Sequence, residues 1–346
     1  MIEMFERKLV TIRKVKNILP IENADLIVLA NIDGWQCVVR KSEFKISDMG
    51  IFFEIDSLLP IQERYEFLRK SCYKKLFDGT EGFRLKTMKL KGKLSQGLLL
   101  PLSMFPEIQN PESGIDYAEI LKVVKYEPPL PAQLTGIAKG LFPSFIKKTD
   151  QERIQNLPEY FEKYKNMEFE MSEKENGSSA TFYCLDGVFG YCSRNLELKE
   201  EGENTYYKIA LELGLKEIFL RLQLNIAIQG EVVGEGINKN TLKIKGAEFH
   251  VFDIYDIDKR RLLLPEERMS LIKNNPNLKH IPILNSNVKI FQICKTMDEI
   301  LEYAKGKSFL NPQTEREGLV FKSVELENNQ SISFKVVNND YLLGES

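Results

Sequence analysis

The chain has 346 residues, 43% hydrophobic and 28% charged, with 48 basic residues against 50 acidic ones. That length exceeds one ordinary core and predicts two domains, while the near-balance of charge means that a nucleic-acid partner requires a local basic face. Two histidines and five scattered cysteines without a CxxC pair argue against zinc sites, disulfide frameworks and histidine-based triads, and predict a cytoplasmic or other reducing compartment. No apolar run reaches membrane-spanning length, and the start MIEMFERKLV has no signal-peptide core.

Residues 1 to about 103 read as mostly β. The runs LVTIRKV, LIVLANI, WQCVVR, GIFFEI and QGLLLPL are separated by turn signals such as Asp33-Gly34 and Asp48-Met49-Gly50. Strands at this spacing predict a small barrel, OB-like as first choice and SH3-like as second. In RLKTMKLKGK, residues 84–93, Lys89, Lys91 and Lys93 alternate with Leu90 and Gly92. That pattern places three ammonium groups on one strand face, either a phosphate-binding surface or a lysine-protected edge strand. A proline-bearing connector from Ser103 to Pro158 follows, with helices expected at Ile115–Leu121 and at Thr149–Asn156. In the second, Thr149 and Glu152 have capping-box spacing.

From residue 165 onward strands dominate. Met167 to Ser193 reads as strand, tight turn, strand around Lys174-Glu175-Asn176-Gly177, with Gly177 supplying the permissive turn conformation. Helices are expected at 205–223 with a break at Gly214, at 265–275 starting with Pro265, and at Met297–Ala304. Alternating β pattern recurs at IAIQGEVVG, AEFHVFDIYD, GLVFKS and ISFKVVN. The expected fold is an N-terminal all-β OB-like barrel, residues 1–126 with the connector, and an α+β domain of mostly antiparallel sheets with flanking helices, residues 127–346.

A K-x-[DN]-G tetrapeptide alone is weak, with roughly a few tenths of a match expected by chance in a chain this long. Four further elements follow it, each a charged group in apolar strand context: Arg194 in YCSRN, Glu231 in IQGEVVG, Glu317 in REGLVFK, and Lys335 in SFKVV. An ionisable group at a strand centre is costly unless paired or solvated. A succession of them points to one polar site, and a metal cation with a polyphosphate would use that mixture of charges.

In the ordered series KENG, SRN, GEVVGEG, FHVFDIYD, REGLVFK and SFKVVN, the chain resembles the covalent nucleotidyltransferases: ATP-dependent DNA and RNA ligases and mRNA capping enzymes. It is most similar to RNA ligases of the Naegleria type, which place an OB domain first and end soon after the last motif. Only eleven residues follow Lys335. The phrases PIENAD, LKTMKLKGKLSQGLLLP and KKTDQERIQNL extend the resemblance across most of the chain.

The resemblance implies an ATP-dependent RNA ligase joining 3′-OH and 5′-phosphate ends, acting as a monomer on nicked duplex, with ATP and Mg²⁺ or Mn²⁺ as cofactors. Lys174 would attack the α-phosphorus of ATP. Glu231 would bind the ribose or metal-bound water, and Glu317 would hold metal-bound waters. Lys322 and Lys335 would contact the phosphates, Arg194 the 5′-phosphate or the nucleotide, and Arg153 the triphosphate. Glu173 and Asn176 are assigned to the nucleotide pocket, and Phe249 to stacking on adenine. The residue types leave blander roles open for three of these: Phe249 as core, Lys322 as a strand-end charge and Arg153 as an exposed helix charge. Two oxygen-donor carboxylates without histidine suit Mg²⁺ or Mn²⁺.

One position departs from the family's K-x-D-G pattern, because Asn176 stands where aspartate is usual. Asparagine keeps the hydrogen-bonding shape without the charge. A working natural variant, a weakened enzyme and an introduced substitution are all compatible with it. The alternatives are an ATP-dependent DNA ligase, a capping guanylyltransferase, and a nucleic-acid-binding protein whose transferase domain is disabled by Asn176.

Overall fold

The computed structural model describes residues 7–76, 78–128, 136–148, 150–200 and 205–345. Two compact units divide the chain, Met1–Pro129 with Leu342–Ser346, and Leu130–Tyr341.

All five strands read from the first hundred residues are present, as Val10–Lys14, Ile27–Ile32, Trp35–Arg40, Met49–Phe53 and Leu98–Pro101. Met49–Phe53 is the middle strand of an antiparallel trio. Ile51 and Phe53 pack with Val10, Tyr65 and Phe105, whereas Phe52 turns to Trp35 and Leu99 on the opposite side. A strand covered on both faces has no polar alternation, so this segment reads as a continuous apolar run. Shorter strands, Ser57–Pro60, Tyr73–Lys75, Glu81–Arg84 and Val124–Lys125, form a second sheet. At two to four residues each they carry too little pattern to be read in advance.

The basic stretch folds differently from its expectation. Met88–Leu90 and Lys93–Ser95 form a hairpin, and Lys91 and Gly92 occupy its turn with φ of 48° and 77°, the positive angles favoured in two-residue hairpin loops. Lys93 pairs with Leu90, and Lys89 pairs with Leu94. Paired residues share a face and neighbours alternate, so Lys89 and Lys93 point to opposite faces. The three lysines are exposed around a hairpin tip rather than along one strand face. Lys89 Nζ also donates to the Leu343 carbonyl at 3.0 Å.

Neither connector helix forms as expected. Residues 115–121 contain irregular chain and turns but no helix, with the Asp116 carboxylate accepting from the Leu9 and Val10 amides at 3.1 and 3.0 Å. The second shrinks to one 3₁₀ turn, Ile154–Asn156, and Thr149 lies outside the described residues. The neighbouring backbone is engaged elsewhere: the Lys335 amide donates to the Glu152 carbonyl at 2.8 Å, and Arg153 bridges Lys335 in parallel.

Among its described residues the second unit holds two sheets. One has four antiparallel strands in the order Ile283–Val288, Phe169–Lys174, Gly318–Glu327, Gln330–Val337. The other has eight, with Val188–Ser193, Ser178–Leu185, Ile226–Gly234 and Ala247–Asp256 adjacent at its centre. Helices Thr205–Glu212 and Leu215–Leu222 pack Ile209, Leu215 and Phe219 against the larger sheet's core. They are separated at Gly214, whose φ is 61°. Pro265–Lys273 begins with its proline, and Met297–Tyr303 is capped by Thr296 and Glu299. These three helical expectations hold because proline, glycine and a capping box set boundaries locally.

Candidate active site

Lys174 ends a strand of the four-stranded sheet, and Ser178 begins a strand of the eight-stranded one. The lysine segment is therefore a crossing between two sheets, not the tight strand pair expected. Glycine is required at 177 by proximity rather than by turn conformation. A Cβ there would lie 2.2 Å from the Val232 carbonyl oxygen. That closeness lets the Gly177 amide donate to Glu231 Oε1 at 3.0 Å.

The crossing gathers charge. Lys174 pairs in register with Gly318, bringing Glu317 alongside, and Lys174 Nζ donates to Glu317 Oε1 at 2.6 Å. The other oxygen, Glu317 Oε2, is buried and has no hydrogen-bond partner among the described residues. Burial raises the Glu231 carboxyl to about 7; Glu317 and Glu175 add to the rise, while Lys174 and the Gly177 amide oppose it. Burial lowers the Lys335 ammonium to about 8, helped by Lys174 and Arg153 against Asp150 and Glu152. Lys174, Glu231, Glu317, Lys335 and Arg153 thus form one electrostatic group. Arg194 is exposed at its edge, donating to both Asp150 oxygens at 3.0 and 3.2 Å.

Asn176 is held on both sides. Its Nδ2 donates to the Tyr341 hydroxyl at 2.6 Å, and its Oδ1 accepts from Asn238 Nδ2 at 2.7 Å. Glu173 faces away from this group. Its buried carboxylate accepts from the Phe309 amide at 2.7 Å. Glu175 is buried against His250 Nδ1 at 2.9 Å.

Lys322 is buried and donates to the Phe252 carbonyl at 2.7 Å and to Asp253 Oδ1 at 2.8 Å. Phe249 does not reach the site. It is 2% exposed within the core behind the larger sheet and meets Phe182 edge-on at 4.9 Å. Phe249 pairs with Val232 and His250 with Glu231, so alternation points Phe249 to the face opposite Glu231; farther along, the same strand pairing has a bulge, shifting register between Gln229 and Gly230. Bulges re-aim side chains. Phe252 lies at this one, half-buried, with Lys322 Nζ 5.3 Å from its ring centroid. Sequence reasoning missed Phe252 and Asp253. The signal for Asp253 was present, a carboxylate amid apolar strand residues, as for Glu231.

Among the described residues no group of three or more His, Cys, Asp and Glu side chains is arranged to hold a metal. Glu231 and Glu317, with one carboxylate oxygen unpartnered, fit a hard cation that keeps several waters and shares phosphate oxygens.

The family model described as an OB-fold domain matches residues 9–102, and the one described as RNA ligase matches residues 167–337. None of the curated proteins compared matches the chain. Among solved structures, a mutant Naegleria gruberi RNA ligase with AMP and Mn is 43% identical, with 98% of this chain and 99% of that chain covered at a TM-score of 0.83. A mutant of the same ligase with ATP and Mn is 42% identical, with the same coverage and TM-score. The Naegleria gruberi ligase with PPi is 44% identical over 97% of this chain and 98% of that chain, at a TM-score of 0.81.

Proposed function

This chain belongs to the RNA ligase family as an ATP-dependent enzyme, and from that premise we propose that it seals 3′-OH and 5′-phosphate RNA ends through a covalent lysyl-AMP at Lys174. The observation that carries the reading is the meeting of Lys174 with Glu317 at 2.6 Å, beside a Glu231 carboxyl raised to about 7, at the crossing between two sheets.

Lys174 Nζ attacks the α-phosphorus of ATP. A nitrogen–phosphorus bond forms, the bond to the β-phosphate oxygen breaks, and pyrophosphate leaves. The 5′-phosphate of RNA then takes the AMP from lysine, and the 3′-OH displaces AMP to close the phosphodiester. Glu317 orients the lysine through their hydrogen bond. Lys335 and Arg153 offset phosphate charge, and Lys322 contacts the nucleotide beside Phe252, which takes the adenine-stacking role in place of Phe249. Glu231 and Glu317 would hold Mg²⁺ or Mn²⁺ through waters, and the bound cation would supply neutralisation of the triphosphate. Arg194 at the rim would take the RNA 5′-phosphate.

In this reading residues 1–126 serve as the nucleic-acid-binding domain and 127–346 as the adenylyltransferase. The hairpin tip of Lys89, Lys91 and Lys93 takes RNA phosphates, and the substrate is a nicked duplex bound by a monomer. All five cysteines are buried and unpaired, which suits a reducing compartment. No described helix is long and apolar enough to cross a membrane.

The test is incubation with ATP labelled at the α-phosphate and Mg²⁺ or Mn²⁺. Acid-labile, alkali-stable label on the protein is expected, absent from Lys174→Ala and present in Asn176→Asp. Label confined to Asn176→Asp would mean that Asn176 disables this chain. No label in any form would sink the lysyl-AMP reading. Sealing of nicks with a ribose but not a deoxyribose 3′-OH strand is the outcome expected of an RNA ligase rather than a DNA ligase.

A further inference from the structure

Beside Lys322 lies a buried charged cluster with no role in the chemistry above. Arg268, on the helix Pro265–Lys273, is fully buried, and its guanidinium meets three groups. Nε donates to His280 Nε2 at 2.9 Å, Nη2 is bonded to Glu170, and Nη1 lies 3.8 Å from Asp253 Oδ1. That same Asp253 oxygen takes the Lys322 ammonium at 2.8 Å. Glu170 lies directly across from Lys322 in strand register. Glu170, Asp253 and Lys322 are 3%, 1% and 4% exposed.

The charges close. Two carboxylates, Glu170 and Asp253, face two cations, Arg268 and Lys322. His280 adds none: its Nε2 accepts from Arg268, so its proton sits on Nδ1 and is donated to the Ile281 carbonyl at 2.6 Å. Burial and the Arg268 charge lower its imidazolium to about 3. The rigid fork of a guanidinium is suited to holding several partners at fixed angles. With Arg268 engaged by Glu170, Lys322 has one close carboxylate oxygen instead of two whole carboxylates.

We propose that Arg268 is a positioning residue for nucleotidyl transfer, holding Glu170 and sharing Asp253 so that the Lys322 ammonium stays directed to the Phe252 bulge. This rests on the reading that Lys322 contacts the nucleotide. Without Arg268, both buried carboxylates fall to Lys322. The ammonium then turns inward, and its charge is withdrawn from the nucleotide. Removing one carboxylate as well restores one acid for one cation.

The full-length protein is given α-labelled ATP and Mn²⁺, and the single-turnover rate of Lys174 labelling is compared among variants. Arg268→Met is expected to slow labelling by about 10²-fold, the scale of a catalytic group misplaced by an ångström. Adding Glu170→Gln recovers at least about tenfold of that loss. In a Lys322→Ala background, Arg268→Met costs little more than Lys322→Ala alone, as residues acting through one another are non-additive. Arg268→Met risks misfolding, so Arg268→Lys is run in parallel; lacking the fork, it loses less, and again only when Lys322 is present. Losses that multiply in the Lys322→Ala background, or no recovery with Glu170→Gln, overturn the proposal and leave the role of Lys322 intact. Wild-type labelling by Lys322→Ala removes that role and the proposal with it.

Discussion

Lys174 and Glu317 are 143 positions apart in sequence, yet the ammonium donates to the carboxylate at 2.6 Å. Strand register produces the contact, since Lys174 lies opposite Gly318 and the residue before that glycine falls beside the lysine. In the proposed reaction the Lys174 nitrogen must leave this contact to reach the α-phosphorus of ATP.

Lys174→Arg separates the ion pair from the nucleophile. A guanidinium keeps the pairing but does not deprotonate in the working range. The pair is partly exposed and contributes about 1 kcal/mol or less, so the melting temperature is expected to stay within about 4 °C of wild type while covalent AMP disappears. Residual label in this variant would place the nucleophile elsewhere.

Lys335 sets a pH signature. Its ammonium is lowered to about 8, so its positive charge is present below that pH and lost above it. Lys335→Arg retains charge throughout. The ratio of variant to wild-type kcat/KM for adenylylation is therefore expected to be flat below about pH 8 and to climb above it; kcat/KM reports groups of the free enzyme. A ratio independent of pH would mean that the charge of Lys335 does not serve the first step.

Glu231 carries a stability cost that Glu231→Gln should relieve. Its folded carboxyl is raised from 4.5 to about 7. The protonated carboxyl costs nothing below about 4.5, and that stability is lost as pH rises through about 7. Glutamine keeps an acceptor for the Gly177 amide without the charge. The variant is expected to be more stable than wild type at pH 8 by about 1–2 kcal/mol, discounted for solvent access, and close to wild type at pH 5, while adenylylation fails. Equal melting curves at pH 8 would contradict the burial of this carboxyl.

Phe249 and Phe252 should separate stability from ATP affinity. Phe249→Ala empties a core position against Phe182 and is expected to cost about 3–5 kcal/mol. Phe252→Ala is expected to raise the KM for ATP by about 10–100-fold, the scale of lost stacking on a base, with little change in melting. A reversal of the two effects, read by calorimetry and ATP titration, would return adenine to Phe249.

These two phenylalanines show how far the sequence could be read. Lys174 was singled out by its KENG tetrapeptide at a strand end, and Glu231 and Glu317 by the apolar residues that follow or flank them. Alternation through FHVFD sends Phe249 and Phe252 to opposite faces, but nothing in the segment says which face Lys322 meets or that Phe252 is an inserted residue, which is visible only against the partner strand. For the same reason Lys89, Lys91 and Lys93 were read as one face. Nothing in KLKGK distinguishes a continuous strand from a turn at Lys91-Gly92 until Leu90 is paired with Lys93. Nothing in PEERMSLIK marks Arg268 as buried, because Glu170 and Asp253, which hold it, come from two different sheets.

The hairpin tip offers a last discrimination, between a nucleic-acid contact and lysines that merely protect a strand edge. Both place ammonium groups in solvent, and local geometry is the same in each. Only the first releases counterions when RNA binds, and each phosphate neutralised steepens the dependence of log K on log salt by somewhat less than one unit. Replacing Lys89, Lys91 and Lys93 together by glutamine keeps much of each stem and removes the charge. If all three meet phosphates, the slope for a nicked RNA duplex should fall by about 2 to 3. Because Lys89 also donates to the Leu343 carbonyl, a fall nearer 2 would assign the contact to Lys91 and Lys93. A slope equal to that of wild type, measured by filter binding across a salt series, would make the hairpin an edge-protecting element and move the RNA contact elsewhere.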